Sequence, residues 1–182
     1  ASSTLSVVVT GLDNGTTYTF TVTATNEVGT SAPSAVSNAV TPPNDPPVVQ
    51  ARADATGNEG APLGLEIATF TDNDPVDTHT ASVDWGDGTI EAASVTESGG
   101  AGTVSASYTY KDNGTYVVTV TVTDTFGWAP ADSFTINVGN VAPNVNAGPD
   151  LTAAGLSGNV FQRASFFDPG IQDSHTAIID WG

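Results

Sequence analysis

The chain has 182 residues, of which 20 are acidic and three are Lys or Arg, so its formal net charge is −17. This balance argues against binding to nucleic acid and against association with anionic membranes, because both need basic side chains. The absence of cysteine excludes disulfide bonds, and no apolar stretch is long enough for membrane insertion. Thr accounts for 27 residues, and no apolar pattern keeps helical spacing for long, so we predict an all-β protein.

The first 43 residues contain three stretches with the apolar pattern of strands. These cover residues 5–9, 18–24 and 35–40. The Pro-rich residues 41–47 follow, and proline at this density cannot form a central strand. We therefore predict three strands followed by a stiff, extended linker.

The middle of the chain shows strand patterns at short, regular intervals. Tyr116, Val118, Val120 and Val122 point to one side of a strand and would form the centre of a core, joined by Trp85. Seven short strands in about 95 residues are typical of a Greek-key sandwich. The predicted strands cover residues 48–53, 63–70, 79–86, 90–96, 103–110, 115–124 and 131–138.

An internal repeat has a constant offset of 96 residues, from position 77 to position 173. Residues 77–86 and 173–182 share Asp at the first position, His-Thr-Ala at positions three to five, and Asp-Trp-Gly at the end. The same offset relates Asn44 to Asn140, Pro47 to Pro143, Phe70 to Phe166 and Asp72 to Asp168. A constant register over this distance indicates tandem domains of one kind.

The repeat and the Pro-containing junctions divide the chain into three parts. We predict a complete sandwich at residues 44–139, with incomplete domains at residues 1–43 and 140–182. The fold class is thus tandem immunoglobulin-like Greek-key sandwiches, one complete and two truncated. We expect exposed apolar strands in both end segments, because half a sandwich leaves one hydrophobic face uncovered.

The first segment resembles the C-terminal half of a fibronectin type III domain. The resemblance rests on Thr-Gly-Leu at residues 10–12, on Gly-Thr-Thr-Tyr-Thr-Phe-Thr-Val at residues 15–22, and on Gly-Thr-Ser-Ala-Pro-Ser at residues 29–34. Tyr18 fits the tyrosine corner of such domains, whose hydroxyl hydrogen-bonds to the chain just upstream. The resemblance covers the last three strands of that fold.

Residues 44–139 resemble the polycystic-kidney-disease (PKD) domain family. The resemblance rests on Asp-Trp-Gly-Asp-Gly-Thr at residues 84–89, Tyr-Thr-Tyr at residues 108–110, Gly-Thr-Tyr at residues 114–116 and the alternating Val-Thr run at residues 118–124. Residues 140–182 match the first half of a second copy. The resemblance implies an extracellular sandwich used for adhesion, spacing or polymer binding.

Three acidic segments are expected at one end of the middle sandwich. They are the linker at Asn44, the loop at residues 72–77 and the loop that begins at Asp124. Their oxygens would suit calcium, a hard cation that takes six to eight oxygen ligands, or they could simply be solvated turns. The PKD resemblance implies calcium as the cofactor here, with Asn44, Asp72, Asp74 and Asp124 as the matching positions. Asp74 corresponds to Gly170 in the second copy, which weakens the case there.

The remaining conspicuous residues have structural interpretations as well as functional ones. Trp85 and its Gly-rich turn are expected in the core rather than in a catalytic loop. His79 and His175 are expected to form hydrogen bonds within loops. Trp128 is a candidate platform for a sugar ring or polymer, or a contact with a neighbouring domain.

These observations predict a non-catalytic spacer or adhesive segment of a large secreted or cell-surface protein of bacterial type. Its partners would be neighbouring domains of the same chain, with surface polysaccharide or protein as further candidates. The alternative is a polymer- or carbohydrate-binding appendage of a secreted hydrolase. We predict that the chain is not itself an enzyme, because it lacks the insertions that form a buried catalytic pocket.

Overall fold

The computed structural model describes residues 6–149 and 163–180. Every regular element in this part of the chain is a β-strand, and it holds no helix with the length and hydropathy needed to cross a membrane. The strands are β1 (Thr25–Asn26), β2 (Gly29–Thr30), β3 (Val48–Ala51), β4 (Ala55–Asn58), β5 (Leu63–Thr71), β6 (Thr80–Asp84), β7 (Ile90–Ser98), β8 (Ala101–Tyr108), β9 (Gly114–Thr123), β10 (Ala131–Gly139), β11 (Asn144–Asn146) and β12 (Ser165–Phe167).

Strands β3 to β10 form the middle sandwich. Their hydrogen-bonded order is β3-β5-β8-β7-β6-β9-β10-β4. Strand β7 belongs to both layers, because its first half pairs with β6 and its second half pairs with β8. The two layers therefore share one long strand and enclose a single core.

The core consists of the alternate side chains that the sequence pattern placed inside. Val118, Val120 and Val122 have no exposed surface, whereas Val117 on the opposite face of β9 is 58% exposed. Trp85 is also completely buried. Its ring is stacked on Tyr108, with 4.7 Å between ring centroids. The prediction of a two-sheet core around Trp85 is thus confirmed.

A tyrosine corner fixes the entry to β9. The Tyr116 hydroxyl donates a hydrogen bond of 3.0 Å to the carbonyl oxygen of Asp112, four residues upstream. In the first segment, the backbone N–H of Asp13 donates to the Tyr18 hydroxyl at 3.0 Å. Both tyrosines tie their strands to the preceding turn, and for Tyr18 this agrees with the geometry expected from the sequence.

The middle sandwich has eight strands rather than the seven predicted. The additional strand is β4, which pairs in parallel with β10 over Ala55–Asn58. The predicted first strand ends at Ala51, and after a short break the chain crosses to the other layer as β4. Small and polar residues in β4 give no apolar alternation, so its strand conformation depends on the partner β10.

The first segment departs from the predicted regular strands. Residues 18–24 pair with residues 31–40, but the pairing gives only one isolated β-bridge, Tyr18 with Val40, besides the short strands β1 and β2. Residues 6–9 form no strand, and Leu5 lies outside the described residues. The predictions of regular strands at residues 18–24 and 35–40 were therefore wrong, and so was the prediction for residues 5–9 over its described part, residues 6–9.

Serine side chains explain the irregular pairing in the first segment. Ser31, Ser34 and Ser37 follow one another every three residues, and each hydroxyl accepts a hydrogen bond from a backbone N–H of the facing chain. The facing donors are spaced every two residues, at Phe20, Val22 and Ala24. Three residues on one side therefore match two on the other, which prevents a continuous β-ladder.

The last segment repeats the geometry of the middle sandwich. Strands β11 and β12 pair in antiparallel fashion, with Asn144 facing Phe167. Val48 and Thr71, which lie 96 positions earlier, face each other in the same way between β3 and β5. Apolar side chains are exposed in both end segments, as expected; examples are Val22 at 70%, Phe167 at 72% and Ile178 at 96%. The position of Trp181 lies outside the described residues.

Candidate metal centre

Three carboxylates meet at the end of the sandwich where β5 and β9 stop. Asp72 follows directly after β5, Asp124 follows directly after β9, and Asp77 lies in the loop that leads to β6. Each contributes an oxygen, and these oxygens all lie within 4.8 Å of one another. We call Asp72, Asp77, Asp124 and the adjoining Asn44 the first acidic cluster.

The linker residue Asn44 is held against this cluster. Its side-chain amide donates a hydrogen bond of 2.8 Å to Asp124 Oδ2. Its side-chain oxygen is buried and has no hydrogen-bond partner. A buried acceptor without a partner costs about 1–3 kcal/mol, so a hydrogen-bond donor or a cation at this oxygen would stabilise the site.

Asp77 also has a buried oxygen that lacks a hydrogen bond, namely Oδ2 of its carboxylate. Burial and the neighbouring charges of Asp72, Asp74 and Asp124 raise the pKa of Asp77 above its ordinary value. The centre therefore holds more negative charge than its own hydrogen bonds compensate.

His79 neutralises part of this charge. Its Nε2 lies 3.0 Å from Asp72 Oδ2, and its Nδ1 lies 2.6 Å from Glu97 Oε2. Burial alone would lower the pKa of His79, but the hydrogen bonds and charges of Asp72 and Glu97 outweigh burial and raise it. The expected hydrogen-bonding role of His79 is confirmed. Its imidazole hydrogen-bonds to one oxygen of Asp72, whereas Asp77 Oδ2 has no hydrogen-bond partner.

The loops at this end are shaped by the same carboxylates. Asp124 Oδ1 accepts hydrogen bonds from the backbone N–H groups of Phe126 and Trp128, at 2.8 and 2.9 Å. Asp72 Oδ1 accepts from the N–H of Asp74 at 2.8 Å. The short turns that follow β5 and β9 thus fix the orientation of the two carboxylates.

The four residues predicted as calcium ligands do not all occupy equivalent places. Asn44, Asp72 and Asp124 come together as expected. Asp74 is buried beside them, but its Oδ2 accepts a hydrogen bond of 2.8 Å from the backbone N–H of Asp45. Asp77 replaces Asp74 among the three converging carboxylates.

A cation fits the first acidic cluster on the chemistry of its donors. All the converging groups offer oxygen, and two buried oxygens, on Asn44 and Asp77, have no partner. Calcium accepts such a mixture of carboxylate and amide oxygens. Asn44, Asp72, Asp77 and Asp124 would hold the ion, which would supply positive charge and link the linker to the two loops.

Trp128 lies at the edge of the same end of the sandwich. Its side chain is 55% exposed, and Phe126 in the same loop is 50% exposed. The Phe126 ring lies so close to Gly15 that a side chain there would meet it at 2.7 Å. Phe126 thus contacts the first segment, while much of the Trp128 ring faces solvent.

Comparison with known proteins identifies the sandwich. A family model described as PKD domain matches residues 44–138. The chain belongs to the PKD domain family. PKD domains are immunoglobulin-like β-sandwiches and non-catalytic modules, usually found in extracellular proteins, where they serve structural or adhesive roles.

One solved structure similar to this chain is the PKD domain of an M14-like peptidase from Thermoplasmatales archaeon SCGC AB-540-F20. The two are 29% identical; the match covers 52% of this chain and 97% of that one, with a TM-score of 0.40. No curated protein matches the sequence.

Proposed function

We propose that this chain is a spacer segment of an extracellular multidomain protein, in which calcium stiffens the entry to the PKD domain. The domain would be flanked by part of a fibronectin type III domain and by part of a second PKD copy. The observation that carries the proposal is the first acidic cluster, where buried oxygens of Asn44 and Asp77 have no partner.

The position of the cluster gives calcium a mechanical effect. Asn44 belongs to the Pro-rich linker, whereas Asp72 and Asp124 end two strands of the PKD domain. An ion bound to all three would fix the linker on the domain and restrict the hinge between modules. A spacer built in this way would be extended and stiff when calcium is present and more flexible when it is removed.

Calcium is expected to raise the melting temperature of the 182-residue chain. Saturating a millimolar site at 10 mM calcium adds about 1.4 kcal/mol, and for a domain of this size each kcal/mol raises Tm by about 4–8 °C. Asp77→Asn should lose the part of this shift that comes from the first acidic cluster. Differential scanning calorimetry with calcium and with a chelator measures both.

Stability measured without calcium distinguishes a calcium ligand from a carboxylate that only stabilises the fold. Without calcium, Asp77→Asn should be at least as stable as the parent, because it removes one of several mutually repelling charges. The control Glu66→Gln changes an exposed carboxylate by the same charge and should keep the full calcium shift. A shift below about 1 °C in the parent chain, or an equal shift in Asp77→Asn, would contradict the proposal.

A second candidate function is docking on an insoluble polymer, as in an appendage of a secreted hydrolase. It is favoured by the exposure of Trp128, since exposed aromatic side chains often mark contact surfaces. Stacking of a sugar ring on the indole would supply the contact.

If Trp128 is a platform, Trp128→Ala should reduce retention of the chain on cellulose or chitin by several-fold without lowering its Tm. Co-sedimentation with each polymer measures retention, and Val117→Ala removes an exposed apolar side chain from a sheet face as a control. Equal retention of the parent and Trp128→Ala would argue against the docking function.

A further inference from the structure

A second group of carboxylates lies where the PKD domain meets the segment that follows it. Glu59 comes directly after β4, Asp168 comes directly after β12, and Asp173 lies in the next loop. One oxygen from each lies within 4.8 Å of the other two. We call these three residues the second acidic cluster.

The cluster spans a junction that two backbone N–H groups of the following segment already bridge. The N–H of Val141 donates to Glu59 Oε1 at 2.7 Å, and the N–H of Ile171 donates to the carbonyl oxygen of Lys111 at 3.1 Å. Glu59 and Lys111 belong to the PKD domain, whereas Val141 and Ile171 belong to the following segment. The carboxylates therefore face one another across the boundary between two repeats.

Glu59 has a buried oxygen with no partner. The residue is only 2% exposed, and its Oε2 has no hydrogen bond. Within residues 6–149 and 163–180, the ion pairs involve His79 and His175 with carboxylates other than Glu59. Burying a carboxylate without a counter-charge costs several kcal/mol, so a missing positive partner is indicated.

The loop of the second cluster copies the geometry of the first. His175 Nε2 lies 2.8 Å from Asp168 Oδ2, and the N–H of Gly170 donates to Asp168 Oδ1 at 2.9 Å. The corresponding distances around Asp72 are 3.0 and 2.8 Å. The loop is thus held in the same way, although its third carboxylate comes from a different domain.

The absence of a side chain at Gly170 leaves room for Glu59 in the second acidic cluster. This position corresponds to Asp74 in the first loop, and a side chain at Gly170 would meet Asp173 Oδ2 at 2.7 Å and Glu59 Oε1 at 3.0 Å. Glycine leaves open the space in which Glu59 and Asp173 approach each other. The absence of a carboxylate at residue 170 is therefore compensated by Glu59 from the preceding domain.

We propose that Glu59, Asp168 and Asp173 bind a calcium ion that joins the PKD domain to the following repeat. All three ligands are carboxylates, which suit a hard divalent cation, and loop-borne ligands suit the flexible coordination of calcium better than the strict octahedron of magnesium. Asn140 holds the linker beside the site, since its amide donates to Asp173 Oδ2 at 3.1 Å. Because the ligands lie on both sides of the junction, binding fixes the orientation of the two repeats.

This site shares no residue with the first acidic cluster, so the two can be tested separately in the 182-residue chain. Isothermal titration with calcium should give two ions per chain for the parent and for the control Glu66→Gln. Glu59→Gln should bind one ion, and so should Asp77→Asn. The double variant should bind none.

Amide hydrogen exchange gives a readout specific to the junction. Calcium should slow exchange at Val141 and Ile171, whose N–H groups bridge the two repeats, by at least about tenfold in the parent and in Asp77→Asn. Glu59→Gln should show no such slowing, although its amide oxygen can still accept the hydrogen bond from Val141.

Gly170→Ala provides a second variant that changes no charge. Its methyl group would occupy the space between Asp173 and Glu59, so the second ion should bind at least about tenfold more weakly while the first is unaffected. If Glu59→Gln and Gly170→Ala both retain two ions, or if the parent binds one ion that only Asp77→Asn removes, the second site is overturned. If the parent binds one ion that only Glu59→Gln removes, the second site stands and the first fails.

Discussion

Replacing Trp85 with alanine should lower the free energy of unfolding of the PKD domain by about 3–5 kcal/mol, the usual cost of deleting a large buried aromatic side chain. The indole is completely buried. It is stacked on Tyr108 and touches Tyr110 edge-on, with ring centroids 6.4 Å apart. The Tyr110 hydroxyl also donates to the Trp85 carbonyl oxygen at 2.9 Å, so the aromatic group and the turn after β6 are coupled.

Because small domains have a total stability of about 5–15 kcal/mol, this loss should greatly reduce the urea midpoint of the domain. Equilibrium unfolding in urea, followed by far-ultraviolet circular dichroism, measures it. Trp128→Ala is the matched control: the side chain is 55% exposed, and the change should stay within about 0.5 kcal/mol. Equal effects of the two substitutions would show that Trp85 is not the centre of the core.

The alternation of apolar side chains made most of the PKD domain predictable. A strand with one buried face must place Val118, Val120 and Val122 on the same side, and this constraint is local. Strand β4 lacked such a signal, because it lies at the edge of the sheet and its residues Ala55–Asn58 are small or polar. Its pairing with β10 depends on a contact about 80 residues away in sequence, which periodicity does not report.

In the first segment, by contrast, the sequence pattern predicted a strand that the structure does not contain. Apolar residues at 35–40 suggested a regular strand, but serine hydroxyls took the hydrogen bonds that a ladder would use. Ser and Thr side chains compete with backbone pairing in this way. The spacing of Ser31, Ser34 and Ser37 was visible in the sequence, and a period of three is incompatible with the period of two of a strand.

The first acidic cluster was predicted in its position and in three of its members. Strand ends determine which loops share one end of a sandwich, so Asn44, Asp72 and Asp124 could be grouped from topology. Asp77 was missed, although the repeat contained a signal for it. Asp77 recurs as Asp173, whereas Asp74 is replaced by Gly170.

Glu59 could not be found by reasoning within one domain. It lies at the far end of the PKD domain from the first cluster's linker and meets Asp168 and Asp173 only when the next repeat is docked. A lone Glu before Gly60 in a polar stretch is typical of a solvated turn. Its burial depends on the packing of two repeats, which no local pattern encodes.

Replacing Gly100 with alanine should both destabilise the PKD domain and impair calcium binding at the first cluster. Gly100 lies in the β7–β8 turn with φ +78°, and a methyl group there would lie 2.4 Å from the carbonyl oxygen of Asp72. The Asp72 N–H also donates to the Gly100 carbonyl oxygen at 2.6 Å. The turn thus supports the backbone that aims the Asp72 carboxylate, and that backbone must move to admit a side chain.

Gly99→Ala separates the cost of a left-handed backbone from the cost of steric overlap. Gly99 also has a positive φ, +62°, but a methyl group there would meet nothing within 4 Å. Both substitutions incur the left-handed backbone cost of about 1–2 kcal/mol. Gly100→Ala should cost about 1–3 kcal/mol more, because the added methyl overpacks the loop.

The calcium response distinguishes a loss of local geometry from a general loss of stability. Gly99→Ala should lower Tm in the chelated state yet keep the full calcium-induced rise, whereas Gly100→Ala should lose most of the rise that the first cluster contributes. Calorimetry of both variants with and without 10 mM calcium measures the difference. If Gly100→Ala kept the parent's calcium shift, the position of the Asp72 backbone would not be needed for calcium binding.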